Sequence, residues 1–121
     1  MKKGIFVIKN IKEYDFAPLP AGVGGSMSVL IGDDKAPNFM MRKFILKSGG
    51  SMPLHTNSVE HEQYVLSGSA KVVIGDEVKI VNKDDILFIP AGVAHSYDVV
   101  GDESYEFLCL VPNEKDEIKI L

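Results

Sequence analysis

The chain has 121 residues, of which 45% are hydrophobic and 25% charged, and this is typical of one globular domain with one core. Its formal net charge is -4, and its scattered basic residues alternate with acidic ones, which argues against nucleic-acid binding. No apolar run approaches the roughly 18–20 residues of a membrane span, and the run at residues 5–8 is too short for a signal peptide. We therefore expect a cytoplasmic protein without a membrane partner, and the single cysteine, Cys109, excludes an internal disulfide.

Short apolar runs follow one another along the chain, separated by turn signals rich in Gly, Pro, Asn and Asp. No window of helical length shows a 3.6-residue apolar stripe. Gly75-Asp76, between two β-branched runs, predicts a hairpin. Many strands at near-even spacing favour a closed barrel or a sandwich, formed as a single domain over residues 1–121. The predicted strands are residues 4–11, 26–31, 38–47, 52–55, 60–66, 70–74, 77–81, 85–89, 95–100 and 105–111.

The first predicted strand, residues 4–11, is apolar and lies at the start of the sequence. A closed sheet leaves few free edges for such a strand within its own chain. We therefore expect it to pair across a homodimer.

The chain has three histidines, His55, His61 and His95, and each lies beside a turn signal. A single histidine in a strand is more often a surface or hydrogen-bonded core residue than a metal ligand. Because side chains alternate along a strand, Asn57 can share the face of His55, and Gln63 that of His61. The spacing of the three histidines is what favours a joint role.

That spacing resembles the two motifs of the cupin family. The first motif is G-x5-H-x-H-x3,4-E-x6-G, and this chain matches it with Gly49, His55, Asn57 (for the second histidine), His61 (for the glutamate) and Gly68. The second motif is G-x5-P-x-G-x2-H-x3-N, matched by Asp84 (for the first glycine), Pro90, Gly92, His95 and Val99 (for the asparagine). Three of four metal-ligand positions therefore carry histidine, and no histidine lies elsewhere.

A closer resemblance covers residues 36–42, 59–66 and 107–112. These stretches are similar to small single-domain bacterial and archaeal cupins in which four histidines surround a manganese-type metal and the chains form dimers. The resemblance implies an all-β fold, the cupin-type double-stranded β-helix or jelly-roll barrel. It also implies one divalent metal ion per chain, with manganese or iron favoured over zinc, nickel or copper. The implied ligand positions are His55, Asn57, His61 and His95, and Asn57 departs from the histidine of the group. Asn57 either supplies its amide oxygen as a weak fourth ligand or acts through a water, and the second role is favoured slightly.

The expected ligands are all neutral, so the site should keep a charge close to +2 and favour an anionic guest. Arg42 faces either the barrel interior, where its planar fork would suit a carboxylate, or the solvent, and the sequence leaves both open. Gln63 shares the face of His61 and can hydrogen-bond a ligand or a bound water. In the resembling group the last strand lines the cavity, which makes Phe107 and Cys109 candidate pocket residues. Arg42, Gln63 and Cys109 are thus the candidate catalytic positions, although no histidine remains to activate Cys109 as a nucleophile.

Two functions remain open from the sequence. Three-histidine cupins resemble several dioxygenases, so the first is a metal-dependent oxidoreductase of dioxygenase type that acts on a small organic anion. The second is a non-catalytic module that binds or senses a small ligand. A single barrel hosts many chemistries, so the fold cannot choose between them.

Overall fold

The computed structural model describes residues 6–121, and nearly all of its regular structure is β-strand. One 3-10 helix spans Ile11–Glu13. In this described part, no helix is long and apolar enough to cross a membrane. The strands are β1 (Ala17–Pro18), β2 (Val23–Ile31), β3 (Phe39–Asn57), β4 (His61–Ser67), β5 (Ser69–Ile74), β6 (Glu77–Asn82), β7 (Ile86–Ile89), β8 (His95–Val100), β9 (Tyr105–Pro112) and β10 (Ile118–Ile120).

The strands form one curled antiparallel sheet, in which the long strand β3 pairs with four other strands. The main path runs β6-β5-β8-β3-β9-β4-β7, while β2 and β10 also pair with β3, and β1 pairs with β2. Gly75, with φ of +60°, makes the turn of the β5–β6 hairpin at the predicted place. The all-β jelly-roll barrel predicted from the sequence is confirmed.

Alternate side chains of each strand face the interior, as the two-residue period of a strand requires. The last long strand, β9, shows a strict alternation of buried and half-buried residues. Facing β9, Phe44 of β3 stacks on Phe107 at 5.1 Å between ring centroids. These rings belong to one core cluster whose members include Leu46, Val65, Ala70, Val72, Leu87, Ile89, Tyr97, Tyr105 and Val111.

The segment before β1 differs from the prediction. Residues 4 and 5 lie outside the described residues, residues 6–10 have no regular structure, and Ile11–Glu13 is helical, so the expected strand is wrong where it can be compared. The cause is a capping box, in which the Lys12 amide donates to Asn10 Oδ1 at 2.9 Å and the Asn10 amide donates to Glu13 Oε2 at 2.7 Å. Pairing of this segment with a second copy stays a prediction.

Residues 48–50, which lie between two of the predicted strands, form an irregularity inside a single strand. The predicted strands 38–47 and 52–55 are both parts of β3, which is 19 residues long. Opposite this point, the register with β2 shifts between Val23 and Gly25. Gly49 has φ of +78°, a conformation that glycine adopts without strain. The two glycines thus bend the strand as a bulge does and carry it past β2 towards β8.

Candidate functional site

The inner faces of β3, β4, β8 and β9 enclose a cavity of about 340 Å³. Its walls are largely apolar, and all three histidines reach it. Ile118 and Ile120 of β10 complete one side, so the end of the chain contributes to the wall. The other polar and aromatic lining residues are Arg42, Phe44, Asn57, Gln63, Tyr97, Phe107 and Cys109.

His55 and His95 are cross-strand neighbours on β3 and β8, with ring centroids 4.2 Å apart. The Nδ1 atom of His55 lies 2.7 Å from the carbonyl of Pro53, and that of His95 lies 2.9 Å from the carbonyl of Val93. A carbonyl oxygen only accepts, so each Nδ1 must carry the proton and donate it. In the neutral rings, the Nε2 atoms therefore keep a free lone pair, as a metal ligand needs.

His61 completes the group from β4, with its ring centroid 6.0 Å from that of His95. Its Nε2 atom is buried and has no hydrogen-bond partner, while Nδ1 lies 3.5 Å from Cys109 Sγ. The sulfur can accept from Nδ1–H, and Nε2 would then be unprotonated. Burial, and next the Arg42 guanidinium, lower the pKa of His61 to about 4, and burial lowers that of His95 to about 4 as well. Both rings are therefore neutral at pH 7.

Asp116 is a site residue that the sequence did not reveal. Its Oδ2 atom accepts a hydrogen bond from Asn57 Nδ2 at 2.8 Å and lies 3.7 Å from His61 Nε2. The ligands expected from the sequence are all neutral, and Asp116 adds a carboxylate beside them. Asp116 lies in the charged segment between β9 and β10, and no motif spacing connects it to the histidines. Because His61 is neutral at pH 7, the two side chains do not form an ion pair there.

Arg42 points into the cavity from β3, as one of the two sequence interpretations had it. Its Nη2 donates to Cys109 Sγ at 3.3 Å, its guanidinium carbon lies 5.0 Å from the centre of the Phe44 ring, and its Nε is buried without a partner. Among residues 6–121, no carboxylate forms an ion pair with it. The cavity therefore holds one fixed positive charge that lacks a counter-ion.

Gln63 and Cys109 both lie where the sequence expected, side by side on paired strands β4 and β9. Gln63 Nε2 donates to the Tyr97 hydroxyl at 2.8 Å, and its Oε1 has no partner. Burial raises the pKa of the Cys109 thiol, which agrees with a pocket residue rather than a nucleophile. Tyr97 was missed because a tyrosine on a barrel strand has no distinguishing sequence signal; burial raises its pKa also.

The donor set fits a divalent ion, although the side chains do not yet converge on one point. Among residues 6–121, no three His, Cys, Asp or Glu side chains form a group that could hold a metal as they stand. The buried Nε2 of His61 and the buried Oδ1 of Asn57 nevertheless lack partners, and such orphaned groups are costly unless something binds them. Ligation of one ion would therefore require these side chains to turn towards a common point.

A protein-family model described as "Cupin domain" matches residues 42–111. The chain belongs to the cupin family. The matched segment runs from Arg42 to the end of the core on β9, so it contains all three histidines, Asn57, Gln63 and Cys109. Asp116 lies beyond it.

Structural comparison supports the same cupin fold. The polyketide cyclase RemF of Streptomyces resistomycificus superposes with a TM-score of 0.89, over 97% of this chain and 86% of that one. The two sequences are 24% identical, so this likeness shows the fold alone.

Two curated relatives share part of the cupin sequence. Mannose-1-phosphate guanylyltransferase 2 of Escherichia coli O157:H7 is 35% identical over 69 residues, which is 56% of this chain and 14% of that protein. The 1-methylthio-D-xylulose 5-phosphate methylsulfurylase of Rhodospirillum rubrum is 30% identical over 77 residues, or 64% of this chain and 49% of that one. The chain thus spans less than half the length of either relative.

Proposed function

We propose that this cupin holds one divalent metal ion at His55, His61 and His95 and binds a small organic anion beside it, as a metal-dependent oxidoreductase of dioxygenase type. One observation carries the proposal: the guanidinium of Arg42, which forms no ion pair among residues 6–121, shares a largely apolar cavity with the three histidines. The methylsulfurylase among the relatives is an enzyme by name, which supports a catalytic role.

The metal half of the proposal depends on the histidine tautomers. Backbone carbonyls hold the Nδ1 protons of His55 and His95, which orients both Nε2 lone pairs as outer-shell partners do in metal sites. Imidazole ligands suit manganese, iron, zinc, nickel and copper, and we favour manganese or iron. Bound there, the ion would supply Lewis-acid or oxygen-activating chemistry.

Binding of an anion would depend on the positive charge of Arg42 in the cavity. A cavity of about 340 Å³ has the size of a small-molecule site, and its apolar walls strengthen any charge pairing inside it. The Arg42 fork would bind the carboxylate or enolate of the guest. Gln63 Oε1, which has no partner, would accept from a guest hydroxyl, while Phe107 and Cys109 shape the floor.

The same geometry would also suit a non-catalytic module that binds a small ligand. Catalytic turnover distinguishes the oxidoreductase from this module. Cys109 and Tyr97 are both held in their neutral forms by burial. The chain thus offers few acid–base groups in the cavity, and catalysis would depend on the metal. Binding of metal and anion without oxygen uptake would favour the module.

The homodimer and the cytoplasmic location remain predictions from the sequence. Size-exclusion chromatography with light scattering tests the first. A mass of two chains in solution would support it, and a mass of one chain would contradict it.

The anion proposal is tested by calorimetric titration of the manganese-loaded protein with acetate, oxalate and benzoate. We compare wild type with Arg42→Met, and with Lys71→Met as the control, because Lys71 is an exposed lysine of β5. Losing a charged hydrogen bond should weaken binding by about 10-fold to 100-fold in Arg42→Met alone. Equal affinities in all three proteins, or no binding of any carboxylate, would refute the role of Arg42.

A further inference from the structure

Asp116 is held beside the histidines by contacts that leave one of its oxygens facing them. Its Oδ1 accepts from the Ser58 amide at 3.1 Å, and the Ser58 hydroxyl accepts from the Glu117 amide at 2.7 Å. The backbone also closes this link, since the Ser58 amide donates to Glu117 O at 3.1 Å. Because Oδ1 is bound by the Ser58 amide, the other oxygen, Oδ2, lies on the side of Asn57 and His61.

The spacing between Asp116 and His61 suits two ligands of one ion. Asp116 Oδ2 and His61 Nε2 are 3.7 Å apart, too far for a hydrogen bond. Two ligand atoms about 2.1 Å from one ion are separated by roughly 3.4 Å in tetrahedral geometry and roughly 3.0 Å in octahedral geometry, so a shift of less than about 1 Å would bring both atoms into range. His61 is 6% exposed, and its Nε2 has no hydrogen-bond partner, so a buried nitrogen without a partner lies beside the Asp116 carboxylate.

From this geometry we infer that the Asp116 carboxylate, supplied by the segment before β10, is the oxygen ligand of the metal. The inference rests on the proposed metal site and deepens it. It restores one anionic ligand to a set whose motif position for the glutamate is occupied by His61. The charge of the loaded site then falls from about +2 to about +1.

Asn57 is the competing oxygen ligand, because it occupies a motif position and its Oδ1 is also buried without a partner. A neutral amide oxygen, however, offsets none of the ion's charge, whereas a carboxylate offsets one unit. The amide group donates to Asp116 Oδ2 from its other end. We therefore assign Asn57 to positioning: its Nδ2 holds the carboxylate that binds.

The test uses Co²⁺ as a spectroscopic probe, with titrations of four full-length proteins stripped of metal by chelator. These are wild type, Asp116→Asn, Asn57→Ala and Glu117→Gln, the last removing a charge from the neighbouring exposed carboxylate. Circular dichroism and the melting temperature of each metal-free protein show whether it is folded. Affinity and the visible absorption bands of bound Co²⁺ are the readouts, since a purely structural role would not shift those bands.

We expect Asp116→Asn to bind Co²⁺ at least about 100-fold more weakly, the upper range for loss of an outer-shell partner, and with altered bands. Asn57→Ala should keep the wild-type bands with an affinity loss of about 10-fold, and Glu117→Gln should match wild type. Altered bands in Asn57→Ala with unchanged ones in Asp116→Asn would overturn the inference, as would wild-type behaviour of both. No Co²⁺ binding by folded wild type would refute the metal site itself, a separate failure. Should Asp116→Asn not fold, Asn57→Ala alone decides by its bands.

Discussion

Gly49 and Gly68 hold similar places in the first motif, one before His55 and one after His61, yet the structure predicts different costs for alanine at each. Both have positive φ, +78° and +74°. A left-handed backbone costs an L-residue about 1–2 kcal/mol. At Gly49 that is the whole cost, since a Cβ there would meet nothing within 4 Å.

At Gly68 the added Cβ would collide with Ser104 O, and it would lie 2.8 Å from Ser104 C and 3.0 Å from Tyr105 Cα. All of these are backbone atoms where β9 begins, and Tyr105 is fully buried, so the contact cannot relax without disturbing the core. Overpacking of this kind adds about 1–3 kcal/mol. We therefore expect Gly68→Ala to lower the free energy of unfolding by roughly 2–5 kcal/mol.

Urea denaturation of the metal-free proteins, followed by circular dichroism, measures both free energies of unfolding. Gly49→Ala is the matched control, because it changes the same residue type with the same sign of φ. Equal losses in the two variants would show that backbone strain alone matters and that β9 does not pack against Gly68 as described.

Three further predictions concern the cavity and its lining. Phe107→Ala, which removes a buried ring stacked on Phe44, should lower the free energy of unfolding by roughly 3–5 kcal/mol in the same urea assay; a loss below about 1 kcal/mol would contradict the core assignment. Cys109, 0% exposed, should not react with a disulfide reagent until the protein unfolds, and rapid reaction of the native protein would be inconsistent with its burial. In the metal-free protein, His61 and His95 have pKa values of about 4, below the ordinary 6.5, so the unfolded chain binds more protons between these values. The contribution of these histidines to the free energy of unfolding should be fully present above about pH 6.5 and should fall towards pH 4, by on the order of 2 kcal/mol per histidine at pH 4.5. A free energy of unfolding that does not change over this pH range would show that the histidines are exposed.

The barrel could be predicted because its strands carry their own signal. The alternation on β9 and the turn at Gly75 follow from local sequence. The motif spacing also predicted that His55, His61 and His95 lie close together, and all three line one cavity. The long strand β3 was divided wrongly because Gly49-Gly50 also resembles a turn. The pairing with β2 on both sides of these glycines shows that the strand continues through them.

The site could be predicted only as far as the motifs reach. Asp116 accepts a hydrogen bond from Asn57 although the two residues are 59 positions apart in the sequence. The path of the segment that carries Asp116 depends on Ser58 and on the pairing of β10 with β3. No residue pattern near Asp116 distinguishes it from the exposed acids beside it. The direction of Arg42 was likewise open, because an arginine on a strand can face either side until the register of β3 with β9 is known.

Elemental analysis of untagged protein, purified without chelator, decides whether the three histidines hold a metal ion, with His61→Ala measured beside the wild type. We predict roughly one divalent ion per wild-type chain, manganese or iron, and its loss in the folded variant. A wild-type protein that holds no metal even after reconstitution, or a variant that retains it fully, would contradict the three-histidine site.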